Sequence, residues 1–161
     1  METIGFVGLG TIGGTVAGNI RKAGYPMMVY DIRPEAVQLP VAQGARAAVS
    51  AAEVARHCRM VFTSLPGPLE VQQVALGPTG LLQGIHESSL YVDLSSSDPD
   101  LIRRIESEFQ THGARVMDAP LIVGKNGIAN KSVQVLASGP PEAFHEAKPI
   151  LDSFGDTVVY T

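Results

Sequence analysis

The stretch GFVGLGTIGG, Gly5 to Gly14, places five glycines in ten positions directly behind an apolar run. So little side chain is needed only where a strand reverses sharply or where backbone must be approached closely. Within the stretch, Gly8, Gly10 and Gly13 form G-x-G-x-x-G, lying between a run of strand character and a run of helical periodicity. In that setting Gly8 permits the tight turn, Gly10 leaves backbone open to a pyrophosphate, and Gly13 lets the helix lie close on the strand. The free amides of a helix start, at the positive end of its dipole, suit an anion. A turn that is merely structural is the competing reading. The next apolar run, PMMVY, ends at Asp31, where a carboxylate can accept from adenosine ribose hydroxyls and would repel the extra phosphate of NADP. NAD is therefore the expected cofactor. Arg33 keeps NADP open, because a guanidinium there could reach that phosphate, stack on adenine, or simply be solvated.

The rest of the chain alternates apolar runs of strand length with helical segments, punctuated by Gly and Pro. Strands are expected at 3–7, 26–30, 59–64, 89–94, 114–119, 132–138 and 156–161, with a short one at 45–49. Helices are expected at 11–23, 51–57, 69–75, 99–112 and 141–154. Most of these strands lack in/out alternation, which predicts a largely parallel sheet covered on both faces. The fold class is thus α/β, a doubly wound Rossmann-type sheet with helices on both faces. Ser50 three residues before Glu53 reads as a capping box, and Asp98 before Pro99 as an N-cap with proline at the first helical position. Gly24, Gly113 and Gly155 sit where a left-handed helix end wants glycine.

With 161 residues, 45% of them hydrophobic and 17% charged, the chain can bury one substantial core, and no linker divides it. A net charge of -4 with scattered Lys and Arg gives no footprint for nucleic acid or an anionic membrane. Cys58 is the one cysteine, so no disulfide and no zinc spacing are available. With no signal segment or membrane-length apolar run, a cytoplasmic location is expected. His57, His86, His112 and His145 show neither metal nor triad spacing. Asp93 and Asp118 each end an expected strand, where turn or cap hydrogen bonding is the plainer role and a functional acid the alternative.

GFVGLGTIGGTVAGNIRKAGYPMMVYDIRPE, LPGPLEV, YVDLSSSDP and VMDAPLIVGKNGIA together resemble the N-terminal part of the β-hydroxyacid dehydrogenase family. That family includes hydroxyisobutyrate dehydrogenase, tartronate semialdehyde reductase and phosphogluconate dehydrogenase. The resemblance implies an NAD(P)-dependent oxidoreductase with cofactor contacts on Gly8, Leu9, Gly10, Thr11, Ile12 and Gly13, on Asp31, Ile32 and Arg33, and on Leu65 and Pro66. It further implies Val71 near the adenine and Ser96 toward the nicotinamide end. Residues alone allow SLPGP to be a surface turn and Ser96 to be a helix-start serine.

The resemblance also implies that residues 1–161 are the dinucleotide-binding domain. An all-helical domain outside them would supply the catalytic lysine, close the cleft and build a homo-oligomer. No catalytic residue is expected within these 161, and the chain alone is expected to be inactive. Substrate contacts would fall on Ile122, Val123 and Gly124. There the sequence departs from the family pattern, with Ile122 where a serine is expected and Val123 where a glycine is. Losing a hydroxyl and an open backbone approach costs a substrate carboxylate about 1–3 kcal/mol per missing partner. Three functions stay open: a domain of a hydroxyacid dehydrogenase, a domain of an imine-reductase-like enzyme suited to an apolar loop, or a non-catalytic nucleotide-binding module.

Overall fold

The computed structural model describes all residues, 1–161. Six strands form a parallel sheet in the order β3-β2-β1-β4-β5-β6, comprising β1 (Ile4–Val7), β2 (Met27–Tyr30), β3 (Arg46–Ala47), β4 (Met60–Thr63), β5 (Leu90–Asp93) and β6 (Arg115–Asp118). This is the strand order of dinucleotide-binding folds, and it reverses between β1 and β4, where a crevice opens beyond the strand ends. Helices α1 (Thr11–Lys22), α2 (Gln38–Ala42), α3 (Ala51–His57), α4 (Pro68–Leu76), α5 (Pro99–Gln110) and α6 (Pro141–Phe154) fill the crossovers.

Strands covered on both faces need apolar side chains at odd and even positions alike, and β1, β4 and β5 are buried at every residue. Ile4, Phe6, Met60, Phe62 and Val92 face α1 and α6, in one core with Val16, Ile20, Leu151 and Phe154. Val7, Val61, Tyr91 and Val116 face the other way, against Val54, Val71, Ile105 and Phe109. Phe6 and Phe62 stack with ring centroids 6.4 Å apart across the β1–β4 pair. The register Gly5↔Val61 and Val7↔Thr63 therefore aligns the ends of the two strands that bound the crevice.

The sequence pattern did not show that the last strands leave this sheet. β7 (Leu121–Val123), β8 (Val133–Ala137) and β9 (Thr157–Tyr160) form a second sheet, antiparallel between β7 and β8 and parallel between β8 and β9. Pro120 cannot donate to a ladder, so the chain swings out after Ala119. The two sheets touch through one antiparallel bridge, in which Asp118 and Ser138 exchange backbone hydrogen bonds of 3.0 and 2.8 Å.

The expected caps form at Ser50, which accepts from the Glu53 amide, and at Asp98, which accepts from the Asp100 amide. Gly155 departs from expectation. It is extended at φ -91°, and glycine suits it because Val135 and Leu151 crowd the place of a side chain.

Candidate dinucleotide cleft

The turn from β1 into α1 is built from two crowded glycines and one open one. Gly8 has φ +96°, a conformation L side chains rarely adopt, and a Cβ there would meet the Ser64 carbonyl oxygen. A Cβ on Gly13 would overlap the Gly8 carbonyl oxygen, so helix and turn close on each other only with glycine present. Gly10 differs, since the nearest heavy atom to a Cβ there is the Arg33 guanidinium at 3.9 Å. Space beside Gly10 is left free. Gly10 caps α1 without any side-chain hydrogen bond, and intrahelical bonding begins with the Gly14 amide donating to the Gly10 oxygen at 2.7 Å. The amides of residues 10–13 thus carry no acceptor from the chain and point toward the crevice end of the helix. These features fit a diphosphate held by main-chain amides.

Asp31, at the end of β2, has its carboxylate fastened on two sides. Its Oδ2 accepts from the Leu9 amide at 2.7 Å, and its Oδ1 from the Arg33 amide at 2.8 Å. The Arg33 Nε is 3.4 Å from Oδ1, with the Asp31 side chain 8% exposed and the Arg33 side chain 55% exposed. The acid therefore locks the glycine turn to β2, and its remaining lone pairs are what it can offer a ribose.

A cavity of about 700 Å³ runs along this edge, lined by Gly8, Gly10 to Gly13, Tyr30 to Arg33, Ala51, Ser64 to Pro66, Glu70, Gln73, Val74, Thr79 and Gly80. A second, of about 540 Å³, lies on the α2 side of α1 and shares Gly10, Thr11 and Arg33 with the first. Gly8, Gly10, Thr11, Ile12, Gly13, Asp31, Ile32, Arg33, Leu65 and Pro66 thus come together on one cleft. Leu9 is 6% exposed and lines the second cavity, its amide turned to Asp31.

Three groups of expected residues lie elsewhere. Val71 is fully buried in the core, and α4 turns Glu70, Gln73 and Val74 to the cleft instead. The Val71 side chain therefore sits behind the α4 residues that line the cleft. Ser96 is exposed and lines neither cavity, and it does not cap α5, since Asp98 does. Ile122 and Val123, 51% and 44% exposed, lie on β7 with Gly124 exposed behind them, away from both cavities. The α4 wall was available to sequence reasoning, because residues 70, 73 and 74 share one helical face beside Pro66.

Beneath the cleft lies a polar cluster. Thr63 Oγ1 donates to Asp93 Oδ1 at 2.8 Å and is 2.9 Å from the Tyr91 hydroxyl. The Ser95 amide donates to Asp93 Oδ1 at 3.0 Å, and the Leu65 amide donates to Ser95 Oγ at 2.8 Å. Burial raises the Asp93 carboxyl, and hydrogen bonds from Ser95 and Thr63 oppose it. Asp118, paired in register with Asp93, is pushed up to about 6 by burial and then by the Asp93 and Glu106 charges. Asp118 Oδ1 and Asp93 Oδ2 are buried without partners, so the Asp118 carboxyl is not the turn acceptor expected of it. No three His, Cys, Asp or Glu side chains gather as a metal site.

Residues 3–161 match the family described as the NAD binding domain of 6-phosphogluconate dehydrogenase. The chain belongs to this family. It is an N-terminal NAD-binding domain of the β-hydroxyacid dehydrogenase kind. It is 33% identical to 3-hydroxyisobutyrate dehydrogenase of Pseudomonas aeruginosa over 99% of its own length and 54% of that protein. Among solved structures, Psf3 in complex with NADP+ and 2-OPP superposes with TM-score 0.92 at 28% identity, over 98% of this chain and 56% of that one. Mycobacterium tuberculosis 3-hydroxyisobutyrate dehydrogenase with L-serine gives TM-score 0.90 at 26% identity, over 99% and 54%. An imine reductase from Pseudomonas sp., at 21% identity and TM-score 0.84, shares the fold. The chain spans about half the length of the relatives it matches. As an NAD-binding domain it takes a nicotinamide dinucleotide, with NAD the expected form and NADP open.

Proposed function

We propose that residues 1–161 form the cofactor half of an oxidoreductase moving a hydride between a nicotinamide dinucleotide and a small β-hydroxy acid or related carbonyl compound. The observation that carries the reading is the pair of unlike glycines: Gly13 crowded shut, Gly10 open beside four unclaimed amides. Those amides would hold the diphosphate, Asp31 the adenosine ribose, and Leu65 and Pro66 the cleft wall beyond. A bound nicotinamide supplies the hydride chemistry, while this chain binds and orients it. Ser96, Ile122, Val123 and Gly124 are proposed for the nicotinamide and substrate end, completed by a second, helical domain that carries the lysine and builds a homo-oligomer. No histidine or lysine of residues 1–161 faces the cleft, so the isolated polypeptide is expected to bind cofactor without turnover.

The exposed apolar pair Ile122 and Val123 supports a second reading, a substrate less polar than a hydroxy acid, such as a cyclic imine. A cytoplasmic setting suits Cys58, which is buried and whose thiol burial raises to about 11, so it offers neither a disulfide partner nor a reactive thiolate. No helix is long and apolar enough to cross a membrane.

Calorimetric titration with NADH and NADPH side by side tests the cofactor assignment. NADH should bind more tightly, and Arg33→Ala should weaken NADPH about tenfold while leaving NADH within about twofold, since only a 2′-phosphate needs that guanidinium. Absence of binding by either dinucleotide would overturn the proposal.

A further inference from the structure

Asp93 is the most thoroughly buried acid of the molecule, at 0% exposure, and it does not line the cleft. Burying a carboxylate with one oxygen unpartnered opposes folding, so its place calls for a compensating role. The bonds it does make come from the last residue of β4 and from the loop after β5. Its Oδ1 accepts from Thr63 at the end of β4 and from the Ser95 amide just past β5. Ser95, itself 4% exposed, accepts in turn from the Leu65 amide. Tyr91, fully buried, backs Thr63 from the same face. These side chains, with the backbone amides of Leu65 and Ser95, close a ring joining the end of β4 and its following loop to the loop after β5. Leu65 is the one member of that ring on the cleft wall.

The sheet order settles which part of a dinucleotide this ring governs. Asp31 at the β2 end takes the adenosine side and the glycine turn at β1 takes the diphosphate. The remaining half must then extend over β4 and β5, where Leu65 and Ser95 are tied.

We infer that Ser95 and Asp93 are positioning residues for the nicotinamide half of the cofactor, holding the Leu65 loop at the height where that half must lie. This rests on the dinucleotide reading of the cleft. The acceptor oxygen of Asp93, not its charge, does the holding, and the Ser95 hydroxyl relays it to Leu65.

The test compares NADH with ADP, which carries only the adenosine and diphosphate, on wild-type and variant chains, with thermal melts reporting folding. Ser95→Ala is expected to weaken NADH about tenfold, the value of one hydrogen bond left unmade at a part-buried amide, and to leave ADP within about twofold. Ser95→Thr restores the hydroxyl and should return NADH binding to within about threefold of wild type. Asp93→Asn keeps an acceptor oxygen and should stay close to wild type, while Asp93→Leu should lose NADH as Ser95→Ala does. Should Asp93→Leu fail to fold, the serine pair decides alone. Equal losses for NADH and ADP, no loss in Ser95→Ala, or Asp93→Asn as weak as Asp93→Leu would each overturn the positioning role while wild-type binding upholds the cleft. Failure of the wild-type chain to bind either ligand would overturn both.

Discussion

Gly10 and Gly13 belong to one fingerprint and meet opposite surroundings, so the same substitution should act on different properties at the two positions. Gly13→Ala drives a Cβ into the Gly8 carbonyl oxygen, and neither partner is a flexible side-chain end that could yield. It should cost about 2 kcal/mol or more, an overpacking penalty, and lower Tm by about 5 °C or more. Gly10→Ala adds a methyl to open space, at a residue whose φ of -66° any amino acid adopts. Its Tm should stay within about 3 °C of wild type, while NADH affinity falls at least about tenfold because the methyl occupies the diphosphate's approach. Paired thermal melts and NADH titrations check both. Equal destabilisation with equal affinity loss would mean that Gly10 serves the turn and no ligand. The residue scale also shows what a local pattern conveys. The tight turn at Gly8, the close packing at Gly13 and the place of Asp31 just past β2 could be read from sequence, since each concerns neighbours within one strand-turn-helix unit. That both Asp31 oxygens already hold amides of residues 9 and 33 could not, because it depends on how the turn folds back on β2.

Two carboxylates, Glu146 of α6 and Asp118 of β6, sit at opposite ends of β6, and their environments pull stability in opposite pH directions. At the amino end, the Arg115 guanidinium, and after it Arg59, hold Glu146 of α6 down at about 2 against the raising effect of burial, with bonds of 2.6 Å to each. A carboxyl lowered on folding contributes stability above its ordinary value of 4.5, and that contribution is lost as pH falls toward 2. At the carboxyl end, burial raises Asp118 from 3.8 to about 6, with further push from the Asp93 and Glu106 charges. Here the stability is present below 3.8 and is lost as pH rises through 6, because the folded chain holds the proton that the unfolded chain releases. Tm should therefore decline from pH 4.5 to about pH 7 in the wild type and level off above that, and Asp118→Asn should flatten that decline and raise Tm at pH 7.5. A Tm profile unaltered by Asp118→Asn would contradict the placement of its carboxyl. Elements were readable to the extent that their signals were long or capped. The five longer helices and seven main strands emerged from periodicity, whereas β7, three residues behind Pro120, has no length from which a period could be read. On α4 the residues left for the cleft follow from the side that packs inward. Val71 and Ala75 pack inward at i and i+4, which leaves residues 70, 73 and 74 for the cleft.

For the whole molecule, the crevice edge gathers features that a bound dinucleotide would engage together. Four amides at the start of α1 without acceptors, a glycine turn fastened by Asp31, and the loop after β4 border one cleft, and Ser95 ties that last loop to the one after β5. A ligand that binds only the folded chain stabilises it by mass action, by about 2.7 kcal/mol when present at a hundred times its Kd. For a domain of this size that corresponds to a rise in Tm of about 5–10 °C. NADH at saturating concentration should produce such a rise, NADPH a smaller one at equal concentration, and AMP a smaller one again, since it reaches neither the whole amide row nor the β4–β5 side. The same preparation should show no hydride transfer to hydroxy acids or cyclic imines above background. Binding without turnover is the combination expected of the proposed cofactor half, whose cleft no histidine or lysine borders. A Tm indifferent to NADH would remove the cofactor role from the cleft, and turnover by these residues would locate a proton-transferring group within the 161 that the geometry does not place there.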